Sequence, residues 1–256
     1  MGALLLLLAL PWLAVAQGVA ETPRMRRLGV AEGLPSRMVL ALAQDRRGYV
    51  WAATDDGLAR YDGQQLQVWR QDPAQPGALP GNALETLLVD SRDRVWVGIN
   101  GAGLAMLDSE RRQFTRFAAL EQRCSEQVWA LAEHGRDLWV GTSGSGICLL
   151  HDDGTVSRYQ HQPDDPHSLP NDTIYALLAG ADGSIWIGTA EGLVRWTAAA
   201  GFAAVNSPLL QGKVVIRLSH DREGGVWAGT GNGLLRVLDD GTVQAAPWPG
   251  AAQLRA

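Results

Sequence analysis

Charged side chains are scarce in this 256-residue chain: Asp, Glu, Lys and Arg make up 19% of it, whereas 46% of its residues are hydrophobic. Globular domains typically carry about 25% charged residues. This balance excludes an intrinsically disordered chain, which needs many charges and few apolar residues. The formal net charge is −5. We therefore expect no nucleic-acid partner, because binding to phosphates needs clustered Lys and Arg.

Catalytic and metal-binding motifs are missing as well. The sequence has no P-loop, no G-x-S-x-G, no H-E-x-x-H and no C-x-x-C. The stretch His161–His167 contains two prolines and is interpreted as a connecting loop rather than a metal site. Adjacent carboxylates occur only in predicted turns, where Asp bonds its own backbone: Asp55-Asp56, Asp152-Asp153, Asp164-Asp165 and Asp239-Asp240. We predict no catalytic residue, no metal and no cofactor.

One long apolar run is present, at residues 3–16. It is shorter than the ~20 residues that a helix needs to cross a membrane. The run ends in Ala14-Val15-Ala16, the small-x-small pattern of a signal-peptidase site. We expect a signal peptide over 1–16, cleaved after Ala16, a short lead-in over 17–25, and a periplasmic or otherwise extracytoplasmic location. Attachment to a membrane would need an uncleaved signal or a span downstream of this sequence.

Glycine and tryptophan are abundant, with 30 and 10 residues, and the tryptophans mark a repeat. Five similar segments start at Trp51, Trp96, Trp139, Trp186 and Trp227, with separations of 45, 43, 47 and 41 residues. A Leu-Pro pair begins 17 residues before three of them, at Leu34, Leu79 and Leu169. Repeats of this length are typical of β-propellers.

Each unit has room for four short strands joined by Gly- and Asp-containing turns. The predicted first strands, such as Leu84–Val89 and Ile174–Ala179, are almost continuously apolar, as in sheets covered on both faces. We therefore predict an all-β fold, a β-propeller of four-stranded antiparallel blades over residues 26–248. The blades are expected at about 35–71, 80–118, 124–160, 170–205 and 212–246, with a tail over 249–256. The five repeat tryptophans are expected to be structural, buried between blades.

The five repeats are expected to be an incomplete part of a larger ring. Residues Arg26–Val30 occupy the place of an outer strand, yet the fifth unit has its own candidate near Thr242–Ala246. One outer strand is then left without the inner strands of its blade. We expect the chain to be a fragment of a longer propeller.

A disulfide is not favoured by the strand assignment. Cys124 and Cys148, the two cysteines, fall on the predicted first and third strands of one blade. Two strand spacings of ~4.8 Å exceed the ~7 Å reach of a disulfide unless the strand ends bend together. We expect two free thiols, although an oxidising compartment permits pairing.

The repeat resembles that of the two-component regulator propellers. The resemblance lies in D-x-x-G-x-[VLI]-W-[VIA]-G-T-x-x-G-L-x-R-x-D, here DRRGYVWAATDDGLARYD (Asp45–Asp62), and in the upstream segments EGLPS (Glu32–Ser36) and HSLPND (His167–Asp172). It covers residues 26–240, with the Leu-Pro element missing from the third unit. The resemblance implies the extracytoplasmic sensor region of a bacterial hybrid histidine kinase or diguanylate cyclase. The output module, which would carry phosphorelay or cyclase activity, is absent from this sequence.

The resemblance implies a ligand-sensing domain that binds without catalysis. The ligand would be a small molecule, glycan or peptide, and the partner a membrane-bound kinase or cyclase module. Candidate ligand-binding residues are the polar residues in the loops of one propeller face: Arg37, Asp55, Asp56, Asn82, Asn100, Ser143, Asn171, Asp172, Glu191, Lys213 and Asn232. A propeller enzyme, such as a lyase or glycan-processing enzyme, and a protein-interaction scaffold remain alternatives.

Overall fold

The computed structural model describes residues 26–246, which form five four-stranded antiparallel sheets whose strands follow one another in chain order. The predicted all-β propeller is confirmed. The expected signal peptide and tail lie outside the described residues. In the described residues, the structure has one six-residue α-helix and no helix long and apolar enough to span a membrane.

Each blade runs from an inner strand at the centre of the propeller to an outer strand at its rim. Blade 1 contains β1 (Val39–Gln44), β2 (Val50–Thr54), β3 (Gly57–Tyr61) and β4 (Leu66–Trp69). Blade 2 contains β5 (Leu84–Val89), β6 (Val95–Ile99), β7 (Gly103–Leu107) and β8 (Phe114–Arg116). The helix α1 (Ala118–Arg123) then leads to blade 3, which contains β9 (Val128–His134), β10 (Asp137–Thr142), β11 (Ile147–Leu150) and β12 (Val156–Tyr159). Blade 4 contains β13 (Ile174–Ala179), β14 (Ile185–Thr189), β15 (Gly192–Thr197) and β16 (Gly201–Ala204). Blade 5 contains β17 (Val215–His220), β18 (Val226–Thr230), β19 (Gly233–Val237) and β20 (Val243–Ala245).

The repeat tryptophan of each of blades 1 to 4 faces the following blade. Trp51, Trp96, Trp139 and Trp186 are 0–3% exposed, each in an apolar cluster with residues of the next blade. Trp227 is only half-buried, because no blade follows blade 5 in the described residues. The expectation of a buried tryptophan is therefore wrong for the fifth repeat.

The glycine two residues after each of the central tryptophans lets the next blade come close. A Cβ at Gly188 would lie 2.5 Å from the carbonyl oxygen of Val215 in blade 5, and one at Gly98 would lie 2.6 Å from that of Val128 in blade 3. Cβ atoms essentially never approach other atoms this closely, so glycine is required at this place in blades 2 and 4, whereas blade 1 accommodates Ala53 there. At Gly229, in blade 5, a Cβ would meet only Arg217 of its own blade, at 3.5 Å.

A leucine from the segment before each of blades 2 to 5 is buried in the interface between that blade and the preceding one. Leu79 and Leu169, of the Leu-Pro pairs, are 1% and 0% exposed. Leu120 of α1 takes this place before blade 3, which lacks the Leu-Pro element, and is fully buried. Leu210 takes it before blade 5 and lies 17 residues before Trp227, the same spacing as in the Leu-Pro repeats.

Nothing within the described part of the chain covers the two ends of the row of blades. Consecutive inner strands pack against each other from β1 to β17, but no comparable packing joins β17 to β1 among residues 26–246. Leu42 and Val50 of blade 1 are 66% and 38% exposed, whereas Leu87 and Val95, at the same register in blade 2, are 8% and 0% exposed. An apolar face that is buried in blade 2 is thus open in blade 1.

The expected outer strand at Arg26–Val30 is not formed. Residues 26–29 are irregular and a 3-10 helix spans Val30–Glu32. Glu32 Oε2 accepts a hydrogen bond from the backbone N–H of Gly29 at 2.7 Å, which closes the turn on itself instead of pairing it with a sheet. Residues 26–30 therefore do not supply an outer strand to any blade.

Cys124 and Cys148 form a disulfide, so the expectation of free thiols is wrong. Cys124 does not lie on the first strand of blade 3 but at the end of α1, which contacts β12 at the rim of that blade. Cys148 lies on β11, the neighbour of β12. The helix therefore brings the two Cα atoms to 6.4 Å, within disulfide reach.

The Asp that opens the repeat motif organises the turn before the tryptophan strand. Asp45 Oδ1 accepts hydrogen bonds from the backbone N–H groups of Arg47 and Tyr49, both at 3.0 Å, and its Oδ2 accepts one from the Trp51 indole at 2.9 Å. Burial alone would raise the pKa of Asp45, but these bonds and the Arg111 guanidinium lower it below its ordinary value. One carboxylate thus accepts hydrogen bonds both from the buried indole N–H and from the backbone N–H groups of a tight turn.

Candidate ligand-binding face

The inner strands of all five blades line a central channel, and each has a β-bulge at the same position. The register with the second strand skips one residue there in every blade. A bulge re-aims the extra residue out of the ladder. The bulged residues are Leu40, Glu85, Trp129, Tyr175 and Ile216.

A cavity of about 420 Å³ occupies this channel. Leu40, Glu85, Trp129 and Tyr175 contribute to its wall at the level of the bulges. Further along, one leucine from each blade lines it at a common register: Leu42, Leu87, Leu131, Leu177 and Leu218. The cavity wall is therefore chemically varied where the bulged residues line it and uniformly apolar where the leucines line it.

Trp129 and Tyr175 form a stacked aromatic pair across blades 3 and 4. Their ring centroids are 5.3 Å apart and their planes are inclined by 30°. Both side chains are half-buried, so part of each ring remains open to the cavity. Neither was predicted from the sequence, although Trp129 lies 10 residues and Tyr175 11 residues before the tryptophan of its own repeat. Aligning the repeats on their tryptophans would have placed both on the inner strand at nearly the same position.

Two charged residues line the cavity. Glu85 of blade 2 accepts a hydrogen bond from Asn100 Nδ2 at 3.1 Å. Arg217 of blade 5 is exposed and donates from Nη1 to the carbonyl oxygen of Ile216, at 3.0 Å. Among residues 26–246, neither is in an ion pair.

Asn82 and Asp172, two of the predicted binding residues, shape the loops that enter blades 2 and 4. Asn82 Oδ1 accepts a hydrogen bond from the Gln71 backbone N–H, and Asp172 Oδ1 accepts one from that of His161, both at 2.7 Å. The main-chain carbonyl of Asn82 also accepts from Gly57, and that of Asp172 accepts from Gly146. These bonds give both side chains a structural role.

Several predicted residues are brought together in pairs. Asn171 Nδ2 donates to Glu191 Oε1 at 3.2 Å. Asp56 lies 3.4 Å from Asn82 Nδ2 and pairs with Arg70 at 3.0 Å. The partners in each pair come from the loop before an inner strand and from a turn between second and third strands, the two loop classes assigned to this face.

The remaining predicted residues are not joined into one cluster. The backbone N–H of Ser143 donates to the Gln127 carbonyl of the loop before β9, that of Lys213 to the Leu210 carbonyl, and that of Asn232 to the Thr230 hydroxyl. Arg37 and Asp55 are exposed. In the part of the chain that the structure describes, no group of three or more His, Cys, Asp or Glu side chains could hold a metal ion.

Comparison with solved structures shows the same fold in bacterial sensor and enzyme propellers. The extracellular domain of a putative hybrid two-component system from B. thetaiotaomicron matches with a TM-score of 0.64 and 21% identity, over 81% of this chain and 27% of that one. A second such domain from B. thetaiotaomicron matches with a TM-score of 0.59 and 20% identity, over 90% of this chain and 38% of that one. Virginiamycin B lyase from Staphylococcus aureus matches with a TM-score of 0.66 and 15% identity, over 84% of this chain and 72% of that one. The chain thus spans well under half of the sensor domains.

No curated protein matches the sequence. Two segments, 33–56 and 168–191, match the family model described as two component regulator propeller. They contain the start of blade 1 and that of blade 4, including the Leu-Pro pairs and the tryptophan strands. At both segments the chain carries repeats of the two-component regulator propeller family.

Proposed function

We propose that this chain is an extracytoplasmic ligand-sensing propeller of a bacterial signal-transduction regulator, of the two-component or diguanylate cyclase type. The observation that carries the proposal is the channel cavity, which four inner strands line with acidic, aromatic and basic side chains in a scaffold that matches the regulator-propeller repeat at two segments. Varied polar and aromatic groups that converge on a cavity are typical of small-ligand sites.

The site binds its ligand without catalysis. The lyase neighbour shares only the fold, at 15% identity. Binding then alters the output of a membrane-bound kinase or cyclase module, which requires the ligand to prefer one of two states of the whole regulator. The export signal expected at residues 1–16 would place the propeller outside the cytoplasm.

Thermal melting of the purified chain with pools of glycans, peptides and metabolites tests the binding. A ligand that binds only the folded state raises the melting temperature. At a hundredfold excess over Kd it adds about 2.7 kcal/mol to the free energy of unfolding. The ligand should be recovered chemically unchanged after long incubation. Chemical conversion of the ligand, or its unaltered binding by Trp129→Ala and by Tyr175→Ala, would contradict the proposal.

The ring is also proposed to be completed by further blades of the same repeat. The open face of blade 1 and the half-buried Trp227 of blade 5 support this, since the equivalent positions inside the row are covered. Small-angle scattering of the purified chain measures the shape. A profile with the gap between blades 5 and 1 open supports the proposal, and a closed disc contradicts it.

A further inference from the structure

The chemistry around the cavity follows the order of the blades. Glu85 belongs to blade 2, Trp129 to blade 3, Tyr175 to blade 4 and Arg217 to blade 5. A carboxylate and a guanidinium therefore lie on either side of an aromatic pair, along one arc of the channel wall. The other lining residues are Leu, Ala and Thr.

The aromatic pair favours a ligand with a flat or apolar part. Trp129 and Tyr175 are already stacked on each other, so their positions are set before a ligand arrives. Preformed aromatic surfaces lose little side-chain entropy on binding. The ring of leucines further along the channel adds an apolar lining for the same part of the ligand.

The two charged groups favour a ligand with one charge of each sign. Among residues 26–246, the carboxylate of Glu85 has only the neutral amide of Asn100 as a partner, and Arg217 bonds only the carbonyl next to it. A neutral sugar would leave both charges without an opposite charge. A phosphate-bearing ligand would suit Arg217 but would meet repulsion from Glu85.

We propose that the cavity binds a zwitterionic amino acid or short peptide with an apolar or aromatic side chain. The ammonium group pairs with Glu85, the carboxylate with Arg217, and the side chain packs on Trp129 and Tyr175 beside the leucines. The inference rests on the proposed sensor function and names the ligand class for its site.

Isothermal titration of the purified chain tests the proposal. The probes are dipeptides of Phe, Leu and Trp with free ends, the same dipeptides acetylated at the amino end or amidated at the carboxyl end, and the neutral disaccharide maltose. Free-ended dipeptides should bind, and each blocked form should bind roughly tenfold more weakly, because one charge-assisted hydrogen bond is lost.

Variants assign each end of the ligand. Glu85→Gln should weaken binding of the free-ended peptide roughly tenfold and leave binding of the acetylated peptide unchanged. Arg217→Gln should likewise weaken binding of the free-ended peptide roughly tenfold and leave binding of the amidated peptide unchanged. The matched controls are Glu110→Gln and Arg222→Gln, exposed residues in turns away from the cavity, which should change nothing. A role in folding alone would not separate the blocked from the free peptides.

The outcomes separate this proposal from the sensor function. Binding of maltose but of no dipeptide overturns the zwitterion assignment and leaves a sensing site. Equal binding of free and blocked dipeptides also overturns it. Binding of no probe at millimolar concentration contradicts both the ligand class and the channel as the sensing site.

Discussion

The indole N–H of Trp96 donates a hydrogen bond to Asp90 Oδ2 at 2.8 Å, deep under the turn that precedes the tryptophan strand of blade 2. The same carboxylate accepts two backbone N–H bonds, from Arg92 and Arg94, and the Arg94 guanidinium pairs with it at 2.6 Å. Burial would raise the pKa of Asp90, but these donors, the indole first among them, lower it below its ordinary value.

Asp90→Asn should destabilise the protein at neutral pH by about 2–3 kcal/mol, the usual worth of hydrogen bonds to a charged group. Since the pKa of Asp90 is lower in the folded than in the unfolded chain, its carboxylate stabilises the fold above pH ~4. That contribution is lost as the pH falls through the folded pKa. Urea melts of both proteins between pH 7 and pH 2 should therefore show the difference shrinking in acid. A difference that stays constant with pH would show that the charge of Asp90 does not matter.

Gly188→Ala should cost about 1–3 kcal/mol, because the new methyl group meets the backbone of β17 and overpacks the interface between blades 4 and 5. The matched control is Gly229→Ala, at the same place in the last blade. There the nearest atom is at 3.5 Å and the unfolded chain loses entropy, so stability should stay level or rise slightly. Thermal melts compare the two, and equal losses would mean that blade contact does not explain the glycine.

Leu42→Lys should reduce self-association of the purified chain without lowering its melting temperature much. Leu42 is 66% exposed on the open face of blade 1, so a charge there breaks up an apolar patch at little cost to packing. Sedimentation velocity over a range of concentrations measures the association.

The control for that variant is Leu87→Lys, the equivalent residue at a covered blade interface, where a charge should prevent stable folding. A wild-type chain that is monomeric at every concentration and binds no hydrophobic dye would refute the open face.

Cys124→Ser should lower stability by about 2–4 kcal/mol, the usual effect of removing a disulfide of this loop length. Thiol counting on the unreduced, denatured wild-type chain should find no free thiol. The double variant with Cys148→Ala should melt like the reduced wild type. Two free thiols, or a Cys124→Ser variant as stable as the oxidised protein, would contradict the bond.

Repeat spacing predicted most of the architecture, because the pattern of each blade is set by local turns and by packing on its neighbours. The inner strands Leu84–Val89 and Ile174–Ala179 have the predicted bounds. The expectation failed at Cys124, because blade 3 lacks the Leu-Pro element and a helix with Leu120 replaces it. Helical turns of six residues leave little periodic signal in a sequence.

The residues that line the channel are harder to select from the sequence. Loop residues such as Asn82 and Asp172 were selected for their polarity, yet their side chains bind backbone groups that shape their own loops. Trp129 and Tyr175 were overlooked, because a tryptophan or tyrosine within an apolar strand is expected to be core. Their direction depends on a bulge, and a bulge is visible only once the partner strand is in register.

The shared bulge separates the residues that hold the blades together from those that line the channel. Residues at that position leave the hydrogen-bonded ladder, and they take no part in the clusters between blades. Substitution there changes the lining of the channel and leaves the apolar clusters between the blades in place. A single framework can in this way present a different channel lining through exchanges at four positions, one in each of blades 1 to 4.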